Sequence, residues 1–290
     1  MSKELPIPNH FKADKVEEVW AVDYYSRAKE AETWAKQHGL KSAATDKTRI
    51  CNLLVDCQVT FCIPGYELYV GGRSGTGAVD DNVKYAEFIY RNLGIITENH
   101  PTMDTHMAMQ IFHPIFWVND KGEHPEPMTV ISYEAVHTAQ WQVNPAIAKN
   151  VANGNYAWLQ RYVLHYVKSL ADGGKYPLII WPYHAMLGSS GHALVPAIEE
   201  ALFFHTCARG SQTGFEIKGG NPLTENYSVL RPEVLDGPDL SGKGLMPIAQ
   251  RNTSFIEALL SFDAVIIGGQ AKSHCVAWTI DNLVTVQVVK

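Results

Sequence analysis

The sequence lacks the long apolar stretches of a membrane protein, since no uninterrupted apolar run reaches the roughly 18 residues of a membrane span. The segment from Met1 to Pro6 also lacks the apolar core of a secretory signal peptide. Cysteine is scarce, because the five cysteines are too few and too irregularly spaced for a disulfide scaffold or a cysteine-based zinc site. We therefore expect a soluble protein of the reducing cytoplasm.

Clusters of basic residues are missing too. The chain has 24 lysines and arginines against 30 acidic residues, which gives a formal net charge of -6. No stretch interleaves basic with aromatic residues, so a nucleic-acid-binding protein is disfavoured. With 46% hydrophobic and 19% charged residues over 290 positions, the chain has the composition of one large or two small globular domains.

Short apolar segments alternate along the chain with longer amphipathic ones. This pattern predicts an α/β fold, in which a mostly parallel, Rossmann-like sheet forms the middle layer of an α-β-α sandwich. The predicted strands cover residues 50–56, 93–97, 176–181, 215–218 and 264–268. The predicted helices cover residues 16–37, 80–92, 158–171, 191–208, 253–262 (with Thr253 as N-cap) and 276–283.

We interpret residues 1–48 as an N-terminal extension and residues 49–290 as the main domain. Within that domain, residues from about 107 to 154 break the alternation and are rich in histidine, proline and tryptophan. Loops of this length are usually functional or disordered, and the aromatic content predicts an ordered, loop-rich insertion that serves as a lid or an interface. Residues 284–290 are expected to supply at most one short edge strand.

Reactive side chains fall at or just after the ends of the predicted strands. They are Asp56, Glu98, His184, Lys218 and Cys275. Because sites in parallel sheets form at the carboxyl ends of the strands, we expect these five side chains to converge on one edge.

Cys275 follows a predicted strand that breaks at Gly268 and Gly269, and it precedes a predicted helix. A thiol near a helix N-terminus has a lowered pKa and faces backbone N–H groups that can bind an oxyanion. This position predicts a catalytic nucleophile, and the alternative is a buried structural cysteine.

Five short motifs occur in a fixed order across residues 49–283, apart from the insertion. They are Asp56-x-Gln58-x-x-Phe61, Glu98-x-His100 with His106 six residues on, Trp181-Pro-x-His184, Lys218-Gly219 followed by Tyr227-Ser228, and Gly269-x-Ala271-x-x-x-Cys275. In this combination the chain resembles the isochorismatase-like cysteine hydrolases, and among them the nicotinamidases most closely. Glu98 stands where the family usually has an aspartate.

The resemblance implies a catalytic triad of Cys275, Asp56 and Lys218. Cys275 is then the nucleophile, Asp56 the general base and later the acid, and Lys218 the cation that holds both. The family's oxyanion hole implies the backbone N–H groups of Ala271 and Cys275, next to a cis peptide bond between Gln270 and Ala271.

The resemblance also implies a divalent metal held by one carboxylate and three imidazoles, from Glu98, His100, His106 and His184. Zinc is the first expectation, and iron or manganese would suit the same ligands. In the family the metal binds the ring nitrogen of the substrate, between aromatic walls that correspond here to Phe61, Trp181 and Tyr227. Four further histidines, at positions 113, 124, 137 and 274, lie outside the motifs and are expected to have no catalytic role.

The function implied is hydrolysis of nicotinamide to nicotinate and ammonia through a thioester, as part of NAD salvage. Two alternatives stay open: a related cysteine amidase for another amide, ureido or carbamoyl compound, and a catalytically silent metal-binding relative. The expected partners are a small-molecule amide and further copies of the chain, as a homo-oligomer.

Overall fold

The computed structural model describes residues 4–288, with side chains through residue 285. The helices and strands in chain order are α1 (Tyr24–His38), β1 (Ile50–Val55), α2 (Val59–Cys62), α3 (Gly77–Arg91), β2 (Glu98–Asp104), β3 (Trp117–Val118), β4 (Val130–Ile131), α4 (Tyr133–His137), β5 (Gln142–Val143), α5 (Ala148–Ala152), α6 (Tyr156–Asp172), β6 (Leu178–Ile179), α7 (Pro196–Arg209), β7 (Glu216–Lys218), β8 (Asp236–Pro238), β9 (Leu245–Pro247), α8 (Thr253–Leu260), β10 (Ala264–Gly269) and α9 (Ala277–Val288).

The central sheet has four parallel strands in the order β10-β1-β2-β7. Strand β1 is almost wholly buried, as its apolar sequence requires of a strand with neighbours on both edges. Because the strands are parallel, the ends of β1, β2, β7 and β10 lie at one edge. Asp56, Asp104, Lys218 and the chain after Gly269 therefore meet there.

Helices cover both faces of this sheet, which confirms the predicted α-β-α architecture. On one face Leu54 packs in a core with residues of α3 and α7, and α1 packs outside against α7. On the other face Leu53 and Val55 pack with Phe255 and Leu259 of α8. Successive side chains of a strand point to opposite faces, so β1 supplies residues to both cores. In the described part of the chain, every helix is too short or too polar to cross a bilayer.

The insertion at about 107–154 has more regular structure than expected. It contains β3 to β5, α4 and α5, and β3 pairs with β5 as an antiparallel ribbon. Strand β4 pairs with β6, which lies outside the insertion. Phe112, Phe116 and Trp117 are buried with Trp158 and Tyr162 of α6, so the insertion shares a hydrophobic core with that helix.

The prediction of a strand at residues 93–97 is wrong. Leu93 and Ile96 are fully buried in a turn after α3, where the N–H groups of Ile95 and Ile96 donate to the Asn92 carbonyl. The strand is β2, which begins at Glu98 and ends at Asp104. A short apolar run signals burial, and burial alone does not distinguish a strand from a turn.

Three smaller predictions also need correction. Of the strand expected at residues 176–181, only β6 at Leu178–Ile179 forms. The N-cap of α8 is Asn252, whose side chain accepts a hydrogen bond from Phe255 N, and Thr253 begins the helix. The β-branched segment expected as an edge strand after residue 283 continues α9 to Val288, and its last two residues lie outside the described part.

Gly269 of β10 packs directly against the backbone of Val55 in β1. It has φ 129°, and a Cβ built there would lie 2.0 Å from the Val55 carbonyl oxygen. We expect Gly269→Ala to lower the free energy of unfolding by about 3 kcal/mol or more, because no small shift relieves a backbone clash at this φ. Urea unfolding measures the effect. Gly220→Ala is the matched control, since its Cβ would meet no atom within 4 Å; equal stability of the two variants would contradict the argument.

Candidate active site

Three side chains from three strand ends meet at the carboxyl edge of the sheet. The Lys218 ammonium lies 3.0 Å from Oδ2 of Asp56 and 3.7 Å from Sγ of Cys275. Asp56 and Cys275 thus flank the same ammonium group. All three are buried. The structure thus brings together the three side chains that were predicted to act as nucleophile, cation and base.

Asp56 is held in place by the neighbouring strand β2. The Thr102 hydroxyl donates to Oδ1 of Asp56 at 2.5 Å and accepts from the Asp56 N–H at 3.0 Å. Asp56 has φ 48°, an uncommon conformation for a residue other than glycine. With Oδ1 engaged by Thr102, Oδ2 is the oxygen that faces Lys218. Thr102 therefore orients the carboxylate toward the cation.

Burial dominates the protonation of the triad. It raises the pKa of Cys275 well above the usual thiol value, although Lys218 opposes the shift. Burial also raises the pKa of Asp56, again against the attraction of Lys218. Burial opposes the charge on Lys218, but the carboxylates of Asp104 and Asp56 outweigh it and raise the pKa of this lysine well above its usual range. The expectation of a lowered thiol pKa is therefore wrong for the unliganded protein, because desolvation exceeds the effect of the nearby cation and helix.

The chain turns sharply between β10 and Cys275. The peptide bond between Gln270 and Ala271 is cis, as the family resemblance implies. A helical segment, Lys272–Val276, follows and leads directly into α9. Cys275 thus lies in the first turns of a helical region, and the Ala271 carbonyl accepts bonds from the N–H groups of His274 and Val276. Ala271 and Cys275, the two candidate oxyanion residues, both line the cavity described below.

A second cluster beside the triad has the composition of a metal site. Ligand atoms of Asp104, His106 and His184 lie within 4.8 Å of one another, and all three residues are buried. Oδ2 of Asp104 is 2.8 Å from Nε2 of His106 and 3.7 Å from Nε2 of His184. Nδ1 of His184 donates to the Pro182 carbonyl at 2.8 Å, which leaves Nε2 as the lone-pair nitrogen of a neutral ring. Two imidazoles and a carboxylate suit a divalent transition metal.

Asp104 belongs to both clusters. Its Oδ1 is 2.9 Å from Lys218 Nζ, while its Oδ2 faces the histidines. Burial alone would raise the pKa of Asp104, but the charges of His106 and Lys218 outweigh burial and hold this pKa well below its usual range. Gln58 fixes the backbone of Asp104, because its side chain accepts from Asp104 N and donates to Asp104 O. Asp104 is therefore an ionised bridge between the lysine and the histidines.

The placement of Glu98 and His100 in the metal set is wrong. Both lie in the first half of β2, where Glu98 pairs with Arg49 and with His100, and His100 packs against Phe255. At about 3.3 Å per residue, the six steps from Glu98 to Asp104 span about 20 Å of strand. Asp104-x-His106 repeats the acid-x-histidine pattern of Glu98-x-His100, so the sequence contains the pattern twice. The end of β2 at Asp104 shows that the second copy lies at the site.

Three further residues near the site carried no predicted role. The ring of His113 lies 5.8 Å from that of His106 and 6.1 Å from that of His184, and its buried Nε2 has no hydrogen-bond partner among the described residues.

His274 and Glu225 line the cavity that is described next. Burial raises the pKa of Glu225 to about 8, so its carboxyl group holds a proton at neutral pH. No sequence pattern distinguished His113 or His274 from other histidines. The remaining pair outside the motifs, His124 and His137, does not line the cavity.

A cavity of about 360 Å³ opens onto Cys275 and onto the acid and one histidine of the metal cluster. All three predicted aromatic residues, Phe61, Trp181 and Tyr227, line it. The lining is largely apolar, which suits a flat, uncharged ring. The complete set is Phe61, Leu68, Tyr69, Val70, Gly71, Gly72, Asp104, Met128, Trp181, His184, Glu225, Tyr227, Ala271, Ser273, His274 and Cys275.

Comparison with known proteins gives structural similarities only. No protein-family model and no curated protein sequence matches the chain. The chain is similar to yeast nicotinamidase Pnc1p (16% identity, TM-score 0.47, 79% of each chain covered) and to an Acinetobacter baumanii nicotinamidase pyrazinamidase (17%, 0.47, 83% of this chain and 80% of the other). It is also similar to a Pyrococcus horikoshii pyrazinamidase in complex with zinc (15%, 0.38, 82% and 79%). All three TM-scores are below 0.5.

Thr102 provides a test of how Asp56 is positioned. Its hydrogen bond lowers the pKa of Asp56, so Thr102→Val should raise that pKa further and move the acidic limb of the kcat/KM profile to higher pH. On the acidic side we expect kcat/KM to fall by about tenfold or more, because a hydrogen bond to a buried charge is lost. Thr102→Ser keeps the hydroxyl and should restore the limb. A lowered melting temperature with an unchanged pH profile would show that Thr102 is only structural.

Metal content tests the corrected ligand set. His106→Ala and His184→Ala each remove a ligand, so the metal affinity should fall by more than the roughly 10–100-fold that loss of an outer partner costs. His100→Ala is the matched control and should keep its metal. The readouts are the metal-to-protein ratio after dialysis and the rise in melting temperature on adding Zn²⁺. Loss of metal from His100→Ala to the same extent as from His106→Ala would refute the assignment.

Proposed function

We propose that this protein is a cysteine amidohydrolase that cleaves the amide of a small, flat heteroaromatic compound, with nicotinamide as the first candidate. One observation carries the proposal: Cys275, backed by Asp56 and Lys218, and the cluster of Asp104 and His184 line or border the same apolar cavity. A thiol and a cluster of residues that could hold a cation, both beside one apolar cavity, suit an amide attached to a flat heteroaromatic ring. The order of the sequence motifs supports the same reading.

The first step forms a carbon–sulfur bond. Asp56, which contacts the same Lys218 ammonium as the thiol, takes the proton of Cys275 as the sulfur attacks the amide carbon. The electron pair of the carbonyl moves to oxygen, where the N–H groups of Ala271 and Cys275 would donate to the oxyanion. The raised pKa of Asp56 suits a base that must hold this proton until the next step.

The second step breaks the carbon–nitrogen bond. Asp56 returns the proton to the departing nitrogen, ammonia leaves, and a thioester to Cys275 remains. Water then attacks the thioester carbon while Asp56 accepts a proton from it. The carbon–sulfur bond breaks, the sulfur regains its proton, and the acid product leaves, so that overall one amide and one water give one carboxylic acid and ammonia.

Lys218 acts through its charge. Its pKa is raised well above the usual range, so it stays protonated and cannot serve as the base. Its ammonium stabilises the negative charge, which lies on Asp56 before proton transfer and on the sulfur as the thioester breaks. Hydrogen bonds to Asp104 Oδ1 at 2.9 Å and to the Asn226 carbonyl at 3.0 Å fix the ammonium beside these groups.

A divalent cation fits the cluster of Asp104, His106 and His184. Nδ1 of His106 is buried without a hydrogen-bond partner among the described residues, and Nε2 of His184 is left with its lone pair. Zinc is our first candidate, with iron(II) or manganese(II) as alternatives. Such an ion would supply a Lewis-acid contact to a ring nitrogen of the substrate. Phe61, Trp181 and Tyr227 would hold the faces and edges of the ring.

Ammonia release from a panel of amides tests this proposal. The panel contains nicotinamide, benzamide (the same shape without a ring nitrogen) and a ureido compound. Cys275→Ala should lower kcat for nicotinamide by about 10³-fold or more, because no other group forms the thioester. Cys207→Ala, which changes a cysteine outside the site, should retain turnover.

The panel also separates the alternatives. Nicotinamide turnover that is lost both in Cys275→Ala and after metal removal supports the proposal. Turnover of other amides only, unaffected by metal removal, would favour a cysteine amidase of different specificity. Retained metal without turnover of any amide would favour a catalytically silent metal-binding protein.

A further inference from the structure

The insertion reaches the cavity through one side chain. Of the residues at about 107–154, only Met128 is among those that line the cavity, together with Trp181 and Cys275. The insertion is otherwise packed away from the triad, in the core that it shares with α6. Its contribution to the site is therefore concentrated in one flexible thioether side chain.

The backbone of Met128 is fixed against the segment that carries Trp181 and His184. The Met128 N–H donates to the Ile180 carbonyl, and the Ile180 N–H donates to the Thr129 carbonyl at 2.9 Å. The antiparallel pairing of β4 with β6 begins at the next residues, with Val130 opposite Ile179. Met128 is thus held beside the tryptophan of the cavity wall.

Two features of Met128 are unfavourable for stability. Its φ is 72°, in the left-handed region, which is unfavourable for a residue with a side chain. Its side chain is also 59% exposed, although it is large and apolar. Glycine would relieve the first and a polar residue the second. Backbone strain of this kind occurs preferentially at ligand clamps, so both features agree with a side chain that becomes covered when a ligand binds.

We propose that Met128 covers the outer side of the substrate ring and limits the size of the ring substituents that the cavity accepts. The inference rests on the proposed function, because it concerns the substrate of that same cavity. A thioether suits this position, since sulfur packs favourably against aromatic rings and the unbranched chain adapts its shape. The insertion then sets substrate size, while the sheet edge supplies the reacting groups.

Kinetics of Met128→Ala test the proposal. The KM for nicotinamide should rise about 2- to 10-fold through loss of the sulfur–ring contact, with kcat changed less than about twofold. In the same variant, kcat/KM for nicotinamides with bulky ring substituents should rise relative to nicotinamide. Met128→Leu keeps the bulk and should keep the size preference. Val130→Ala, an exposed position of the same insertion outside the cavity, is the matched control and should behave as the original protein.

A second measurement does not depend on nicotinamide turnover. The rate at which Cys275 reacts with iodoacetamide, a small reagent, is compared with the rate for N-phenylmaleimide, a bulky aromatic one, by peptide mass spectrometry. Met128→Ala should raise the rate with the bulky reagent selectively. If nicotinamide is not hydrolysed but this selective rise occurs, the proposed substrate fails while the role of Met128 in limiting size stands. Unchanged size preference in both measurements, or equal changes in Val130→Ala, would overturn the inference.

Discussion

The rest of the site depends on the contact of the buried Lys218 ammonium with two carboxylates. The ammonium lies within 3.0 Å of one oxygen of Asp56 and one oxygen of Asp104, and all three residues are buried. Without the ammonium, the two neighbouring carboxylates would repel each other, and an unpaired buried charge costs several kcal/mol. The sheet makes the arrangement possible, because the ends of β1, β2 and β7 bring the three side chains to one point without long loops.

Through Asp104, Lys218 also links the triad to the metal cluster. Asp104 gives one oxygen to Lys218 and the other to the histidines, so the metal cluster and the triad share a charged residue. A substitution at Asp104 is therefore expected to disturb both the thiol and the metal cluster, whereas substitutions at His106 or His184 act first on the metal cluster. Gln58, just before α2, holds Asp104 at the end of β2, and Thr102 of β2 holds Asp56 just after β1.

The sequence predicted the side chains that end a strand and missed those whose position depends on tertiary contacts. Asp56, Lys218 and Cys275 were found because each lies at or after the end of a predicted strand and within a motif of the family that the chain resembles. The metal acid was misplaced because the buried turn at residues 93–97 has the composition of a strand, which moved the expected strand end from Asp104 to Glu98. Thr102 contacts Asp56 only through the pairing of β1 with β2, and Met128 reaches the cavity only through the pairing of β4 with β6. No local pattern reports either pairing.

The pKa values of Cys275 and Asp56 are both raised, which suits the proton transfer proposed between them. Burial disfavours the thiolate, so in the proposed mechanism Cys275 keeps its proton until a carbonyl carbon can accept the sulfur. Asp56 shares the same burial and therefore has a greater affinity for that proton than an exposed aspartate. Because burial shifts both groups in the same direction, it brings their charged forms closer in free energy than burial of one alone would. Lys218 stabilises whichever of the two bears the charge, so the transfer relocates one negative charge within the field of a single fixed cation.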